Sequence, residues 1–330
     1  MKKPLYIFSS GELKRKDNTI YFENELGKKY IPVENTNEIF IFGEVDINKR
    51  FLEFLTQSKI ILHFFNRYNY YVGSFYPREH LNSGYMILKQ AEHYLDYEKR
   101  LSIAKKYAQG AVGNILQVLR YYRRRGKELG GIEYSIKSLE EKLPDSSSIE
   151  ELMALEGNAR EYYYRSFDHI LNDADFIFSK RSRRPPKNKL NTLISFGNSL
   201  LYVIVLSEIF QTHLDPRIGF LHATNFRRFS LNLDVAEIFK PIIVDRLIFK
   251  LVGKKMVTKE GFESGTESLM LKERTKHLFV TELDNKLKST ISYHSLGRNV
   301  SYRRLIRLEL YKLQKHLMDE IEYKPFLAKW

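Results

Sequence analysis

No cysteine occurs in the 330 residues, which removes disulfides, thiolate zinc sites and thiol nucleophiles together. Long apolar runs are missing too. The longest, LLYVIVL at 200–206, falls far short of the ~20 residues that span a bilayer. The N-terminal MKKPLYIFSSGELKRKD returns to serine and charge too soon for a signal-peptide core of roughly 7–15 residues. A soluble chain in the cytoplasm is the expectation. There is no G-x-x-x-x-G-K-[ST], G-x-G-x-x-G, H-E-x-x-H or G-x-S-x-G, which disfavours nucleotide-driven and serine-nucleophile enzymes. No period of 20–50 residues recurs, so a solenoid is not expected. Acid is the scarcer charge, 40 Asp and Glu against 54 Lys and Arg, for a net +14. Such a surface attracts polyanions, nucleic acid first and anionic membrane second.

What is present is ordinary globular material, 43% hydrophobic and 28% charged, in a length that accommodates two domains. Residues 1–75 read as a β-rich domain. PLYIF, TIYFE, KYIPV, EIFIFG, KIILHFF and YYVGSF are short aromatic and β-branched runs, with one helix at NKRFLEFLTQS. Residues 76–84, YPREHLNSG, have the composition of a linker. From 85 to 330 the 3.6-residue period dominates. A long helical signal runs from Tyr85 to about Arg125, with an interruption predicted near Gly110. DSSSIEELMALEGNAREYYYRSF opens as a capping box. KLNTLISFGNSLLYVIVLSEIFQTH is apolar nearly all round and predicts a buried central helix. LDVAEIFKPIIVDRLIFKLV should kink at Pro241, and SYRRLIRLELYKLQKHLMDEIE is the last helix. Residues 253–277 suggest an excursion such as a hairpin. The predicted class is α+β, a small N-terminal β-rich domain followed by a larger all-α domain.

Three acids and a histidine stand out. Glu156 falls on the helical stripe of Ile149, Leu152, Met153, Ala159 and Tyr163, where a carboxylate needs a cation, a metal or hydrogen-bond donors. Pairing with one of the many arginines would satisfy it as well. His222 ends the apolar GFL and reads either as a core histidine or as a ligand or proton carrier. Asp234 and Glu237 share a helical face, and salt bridges to Arg227, Arg228 or Lys240 would account for both. Taken together, Glu156, His222 and Glu237 compose a mixed oxygen–nitrogen site suited to Mn²⁺ or Mg²⁺. Such an ion neutralises a scissile phosphate and brings a nucleophilic oxygen in line. FDH at 167–169 and HLD at 213–215 read as structural.

The basic clusters RYYRRRGK, KRSRRPPKNK, FRRF and SYRRLIR are interleaved with tyrosine and phenylalanine, a texture that fits phosphate contact with some base stacking. Arg181, Arg183, Arg184, Arg227 and Arg228 are the candidate DNA contacts. A non-catalytic basic scaffold for DNA is the competing reading. A peripheral membrane protein would need an exposed amphipathic helix, which the tyrosine-studded basic runs do not offer.

Five segments carry a family resemblance: ALEGNAREYYY, RRPPKNKLNTLISFGNSLLY, LDPRIGFLHATNFRRFSLNLDVAEIFKP with the following VD, GRNVSYRRLIRLELYKL, and YKPFLAKW. In order and spacing the chain resembles the CRISPR-associated integrase and endonuclease of spacer acquisition, the Cas-one adaptation family. The resemblance implies a helical catalytic domain behind a small β-domain. It implies a homodimer that assembles with a small ferredoxin-like partner and joins short DNA duplexes into a repeat array. By position it makes Glu156, His222 and Glu237 the catalytic metal ligands, Asp234 an auxiliary acid and Lys240 a DNA or phosphate contact. Two departures stand out. The third ligand is glutamate where some relatives have aspartate, and Asn198 stands where many look aromatic.

Overall fold

The alternation of apolar and polar residues in the first eighty positions builds two four-stranded sheets. In this computed structural model, which describes residues 2–78, 81, 83–183, 185–224, 229–264, 269–293 and 296–329, the chain divides into Met1–His80 and Leu81–Trp330. The division falls within the stretch predicted as a linker. In the first unit, strands β1 (Lys3–Ile7), β5 (Thr36–Ile41), β7 (Ile61–Phe65) and β8 (Tyr71–Phe75) lie in that order, the first three parallel. The second sheet runs β4 (Gly27–Pro32), β3 (Thr19–Asn24), β2 (Gly11–Lys16) and β6 (Val45–Ile47). Ile7, Leu13, Ile20, Ile39, Ile41 and Leu62 form one core with Phe51, Phe54 and Leu55 of α1 (Lys49–Ser58). Strands β2 and β6 were not foreseen. GELKRK shows only one apolar residue, and pairing with β3 is what drives Leu13 into the core.

The second unit is mainly helical. The predicted break near Gly110 is instead at Asp96, which ends α2 (Gly84–Leu95) and caps α3 (Tyr97–Arg123) by accepting a hydrogen bond from the Lys99 amide. Gly110 lies within unbroken helix. A Cβ there would come 2.7 Å from the Pro325 side chain, so its job is to admit the C-terminal tail. Helix α4 (Gly130–Glu140) leads to α5 (Ile149–Leu171), where Ser148 caps the Glu151 amide and Glu151 reaches back to Ser147, the predicted capping box. Helix α6 (Lys189–Ile209) is buried on nearly every face. Among the described residues it is the one helix long and apolar enough to cross a membrane, and here it serves as core, 83% of that window being buried.

The segment with Pro241 does not simply kink. Helix α7 (Leu231–Lys240) passes into a π-helical turn at Pro241–Asp245 and resumes as α8 (Arg246–Gly253). Proline lacks the amide an α-turn would use, and a wider turn absorbs the loss. Two short hairpins depart from the all-α expectation. They are β9–β10 (Phe262–Ser264, Leu269–Leu271), inside the predicted excursion, and β11–β12 (Thr290–Tyr293, Arg298–Ser301). Between them lies α9 (Glu273–Lys288), which was not foreseen, and α10 (Tyr302–Leu317) follows. Helix α3 packs against both α5 and α7, and this places the two acid-bearing helices side by side.

Candidate functional site

On α5 the buried stripe is Ile149, Leu152, Ala159 and Tyr163; Met153, predicted to share it, is 44% exposed. Glu156 sits at the edge of this stripe and is half-buried. One turn on, Arg160 is buried, and its Nε donates to Glu156 Oε1 at 2.9 Å. The same guanidinium reaches across to α7, where Nη2 donates to Glu237 Oε2 at 2.6 Å. Lys240, one turn beyond Glu237, donates to its other oxygen, Oε1, and lies 4.8 Å from the Tyr202 ring of α6. A chain of charges, Glu156–Arg160–Glu237–Lys240, thus ties α5 to α7 inside the protein.

The loop before α7 brings the imidazole to this chain. Asp234, fully buried in the first turn of α7, accepts from the backbone amides of Phe220 (2.6 Å), Leu221 (3.1 Å) and His222 (2.9 Å). Its Oδ1 also faces His222 Nδ1 at 2.8 Å. Gly219 allows the close approach, since a Cβ there would lie 2.8 Å from Asp234 Oδ2 and 2.7 Å from the Ser230 carbonyl carbon. Among the described residues Asp234 is therefore spent on this loop and on the imidazole and not on Lys240, while Arg227 and Arg228 lie outside the described residues. Asp234 fixes the loop and, by accepting the hydrogen bond from Nδ1–H, leaves the neutral ring's lone pair on Nε2.

Charges in the site shift as this geometry requires. Burial opposes a charged imidazole, but the Asp234 carboxylate outweighs it, with help from Glu237, and the His222 pKa rises above its ordinary 6.5. Burial would likewise raise Glu237, but Lys240, Arg160 and His222 hold it well below the usual carboxylate range. The His222–Asp234 pair stabilises the fold most fully below pH about 6.5 and loses that contribution as pH rises through the raised folded value. Replacing Asp234 by asparagine lowers the His222 pKa, because the amide drops the negative charge that favours the imidazolium. Titration of the His222 ring by NMR measures it, and an unchanged value contradicts the assigned pairing.

The three predicted ligands thus lie in one linked neighbourhood, Glu156 and Glu237 through Arg160, and His222 through its electrostatic interaction with Glu237. They are not already closed around a point: among the described residues no three His, Asp or Glu side chains form a metal-sized cluster. Two resident cations hold the glutamate oxygens instead. The donor set still suits a hard divalent ion, with carboxylates and one imidazole whose outer nitrogen is oriented by a buried acid.

The candidate DNA contacts fare differently. Arg181 is engaged within the protein, donating to Asn191 Oδ1 (2.9 Å) and Ser195 Oγ (3.1 Å) on α6. Arg183 is exposed, while Arg184, Arg227 and Arg228 lie outside the described residues. Lys240, expected at a phosphate contact, is 5% exposed and paired with Glu237, so it belongs to the interior of the site. Arg160 and Gly219 had been given no role. The i, i+4 spacing from Glu156 to Arg160 was a usable signal for the first.

A family model described as CRISPR associated protein Cas1 matches residues 5–285. The chain belongs to the Cas1 family. A CRISPR-associated endonuclease Cas1 of Thermodesulfovibrio yellowstonii is 64% identical over the whole of both chains. The solved structure of a Cas1 protein from Thermotoga maritima superposes with a TM-score of 0.89 at 52% identity, covering 98% of this chain and 99% of that one. The Cas1 fold recurs at lower identity. A casposase bound to integration product gives TM-score 0.89 at 23% identity, covering 99% of this chain and 94% of that one. A chain of a Cas6-RT-Cas1–Cas2 complex gives 0.86 at 18%, covering all of this chain and 36% of that one.

Proposed function

We propose that this Cas1-family chain is a metal-dependent DNA integrase and nuclease. It joins short DNA duplexes into a CRISPR repeat array through attack of a 3′-hydroxyl on a phosphodiester; water in place of that hydroxyl gives cleavage. The observation that carries the reading is the His222–Asp234 pair, which turns the imidazole's outer nitrogen away from Asp234 and interacts with Glu237, itself joined to Glu156 through one arginine. Glu156, His222 and Glu237 would hold Mg²⁺ or Mn²⁺. Bound there, such an ion neutralises a phosphate and orients the attacking oxygen. The chain itself contributes position. Asp234 fixes the imidazole, helices α5 and α7 hold the carboxylates, and exposed cations such as Arg183 attract the DNA backbone. No protein nucleophile is required. Family relationship supports a homodimer, and assembly with a small ferredoxin-like partner is part of the same proposal, as is a cytoplasmic location.

A second reading draws on the pairing of Glu237 with Arg160 and Lys240: a basic scaffold that holds DNA without chemistry. One assay separates them. Purified protein is given a short duplex and supercoiled plasmid, with Mn²⁺ or with chelator. The integrase reading requires joined and nicked products that vanish on chelation; the scaffold gives salt-sensitive binding, no product and no response to chelator.

The pH profile follows from His222. A protonated imidazole has no lone pair to donate, so below its raised pKa divalent-ion affinity falls roughly tenfold per pH unit. Calorimetric Mn²⁺ titrations across pH 5–8 show this slope, and pH-independent affinity would remove His222 from the ligand set.

A further inference from the structure

Both oxygens of Glu237 and one of Glu156 are already occupied by cations of the protein itself. We propose that Arg160 is a resident counter-cation of the site, displaced when a divalent ion binds, and that the buried carboxylate of Asp245 receives the departing guanidinium. The inference rests on the metal reading above, and it concerns what this chain's own residues do when an ion arrives.

Three observations lead to it. The first is competition. Arg160 Nε and Nη2 bond Glu156 Oε1, and Nη2 also bonds Glu237 Oε2, while Lys240 holds Glu237 Oε1. An ion cannot use Glu237 until one of these donors withdraws, because guanidinium and metal seek the same lone pairs. The second is an unused donor: Arg160 Nη1 is buried and makes no hydrogen bond. Buried guanidinium donors are normally all satisfied, so one left over marks a side chain held in only one of its possible seats.

The third observation is a vacant seat. Asp245, at the end of the π-helical turn, is 1% exposed, and its Oδ2 has no hydrogen-bond partner. The Tyr163 hydroxyl, one turn beyond Arg160 on α5, is buried, closes no tight hydrogen bond, and lies near enough to Asp245 to favour its charged form. Arg160 and Asp245 interact electrostatically. A buried carboxylate with a free oxygen is unfavourable unless a cation can reach it. The π-turn at Pro241–Asp245 is the feature that sets Asp245 at this position, and such turns recur at functional sites. Lys240 is the poorer candidate for displacement. It bridges no pair of ligands, and its ammonium is also held over the Tyr202 ring.

Arg160 is then a positioning residue. It keeps two carboxylates from repelling each other before the ion arrives and yields to it afterwards. The test reads affinity, not turnover. Mn²⁺ is titrated calorimetrically into the full-length protein and into R160Q, D245N and the double variant, with folding checked by circular dichroism. Removing the competitor makes R160Q bind about tenfold tighter. D245N binds several-fold more weakly than the natural chain, because the displaced guanidinium has nowhere to go, yet D245N adds nothing in the R160Q background. That non-additivity is the signature, since a merely structural role or a long-range charge effect weakens binding equally in both backgrounds. Should R160Q fail to fold, R160K takes its place. Its compact ammonium cannot span both glutamates, and it too binds Mn²⁺ more tightly than arginine allows. Unchanged or weaker binding by the Arg160 variant overturns the exchange. So does an equal effect of D245N in both backgrounds. Natural protein that binds no Mn²⁺ at all overturns this inference together with the metal reading, a failure distinct from the other two.

Discussion

His222→Ala abolishes strand joining and cleavage, by about 10³-fold or more, while DNA binding changes little. A loss of that size is what removing a positioned electrostatic group from a phosphoryl-transfer site produces, about 4 kcal/mol of transition-state stabilisation. His222 gives the cleanest of the three ligand tests. Asp234 keeps its three backbone donors when the ring is gone, so the loop stays folded. Glu237 is less forgiving, since truncation strands Arg160 and Lys240 in the interior, and breaking a buried ion pair typically costs about 3–5 kcal/mol. Glu237→Gln and Glu156→Gln are therefore the informative variants. They keep shape and remove charge, and they should match His222→Ala in activity; Glu156→Gln melts near the natural chain, whereas Glu237→Gln melts lower because its amide turns a donor toward Arg160 or Lys240. Measured turnover on a short duplex and plasmid, with gel-shift binding alongside, checks all three. Activity retained in all of them would contradict the ligand assignment.

An equally large stability effect falls on a neutral side chain. Asn114→Leu lowers the stability of the helical unit by about 3–5 kcal/mol, because three hydrogen bonds are lost and their backbone partners stay buried. Asn114, fully buried in α3, donates to the carbonyls of Ile238 (3.0 Å) and Phe326 (2.9 Å) and accepts from the Ala328 amide (2.9 Å). It thereby pins the C-terminal tail and the helix that carries Glu237 to one point. For a unit of this size the melting temperature falls by roughly 10 °C, which calorimetry detects directly. A shift of only a degree or two would mean that the tail finds other partners.

Much of this arrangement could be read from pattern, and the exceptions have definite causes. Helices α5 and α6 announced themselves through a capping box and an all-round apolar surface. α9 did not. Its buried residues Thr275, Phe279, Val280, Leu283 and Leu287 repeat at helical spacing, but the glycines and mixed charge just before them pulled the expected excursion too far along the chain. Gly110 misled in the other direction. A glycine in a helix suggests a break, whereas here it makes room for Pro325, a residue more than two hundred positions away. The strands β2 and β6 carry too little apolar character alone, and only their neighbours in the sheet make them strands.

The site divided along the same line. Glu156 was legible as a carboxylate out of place on an apolar stripe, and His222 and Glu237 were legible beside it. The bond from Arg160 to Glu237 was not, because it joins residues 77 apart on two helices and no local periodicity encodes it. Asp234 was visible as an acid, yet its work of collecting three backbone amides and an imidazole depends on a loop conformation that composition does not report. Lys240 shows the converse error. The family resemblance suggests a DNA or phosphate contact there, and the side chain is buried against Tyr202 and Glu237.

The most direct measurement is the anomalous signal of Mn²⁺ in crystals grown with saturating metal. The account predicts one peak with His222 Nε2 and carboxylate oxygens of Glu156 and Glu237 about 2.0–2.3 Å away, and Arg160 no longer between the glutamates. No peak at that position, with Arg160 still bridging Glu156 and Glu237 in saturating Mn²⁺, would contradict it.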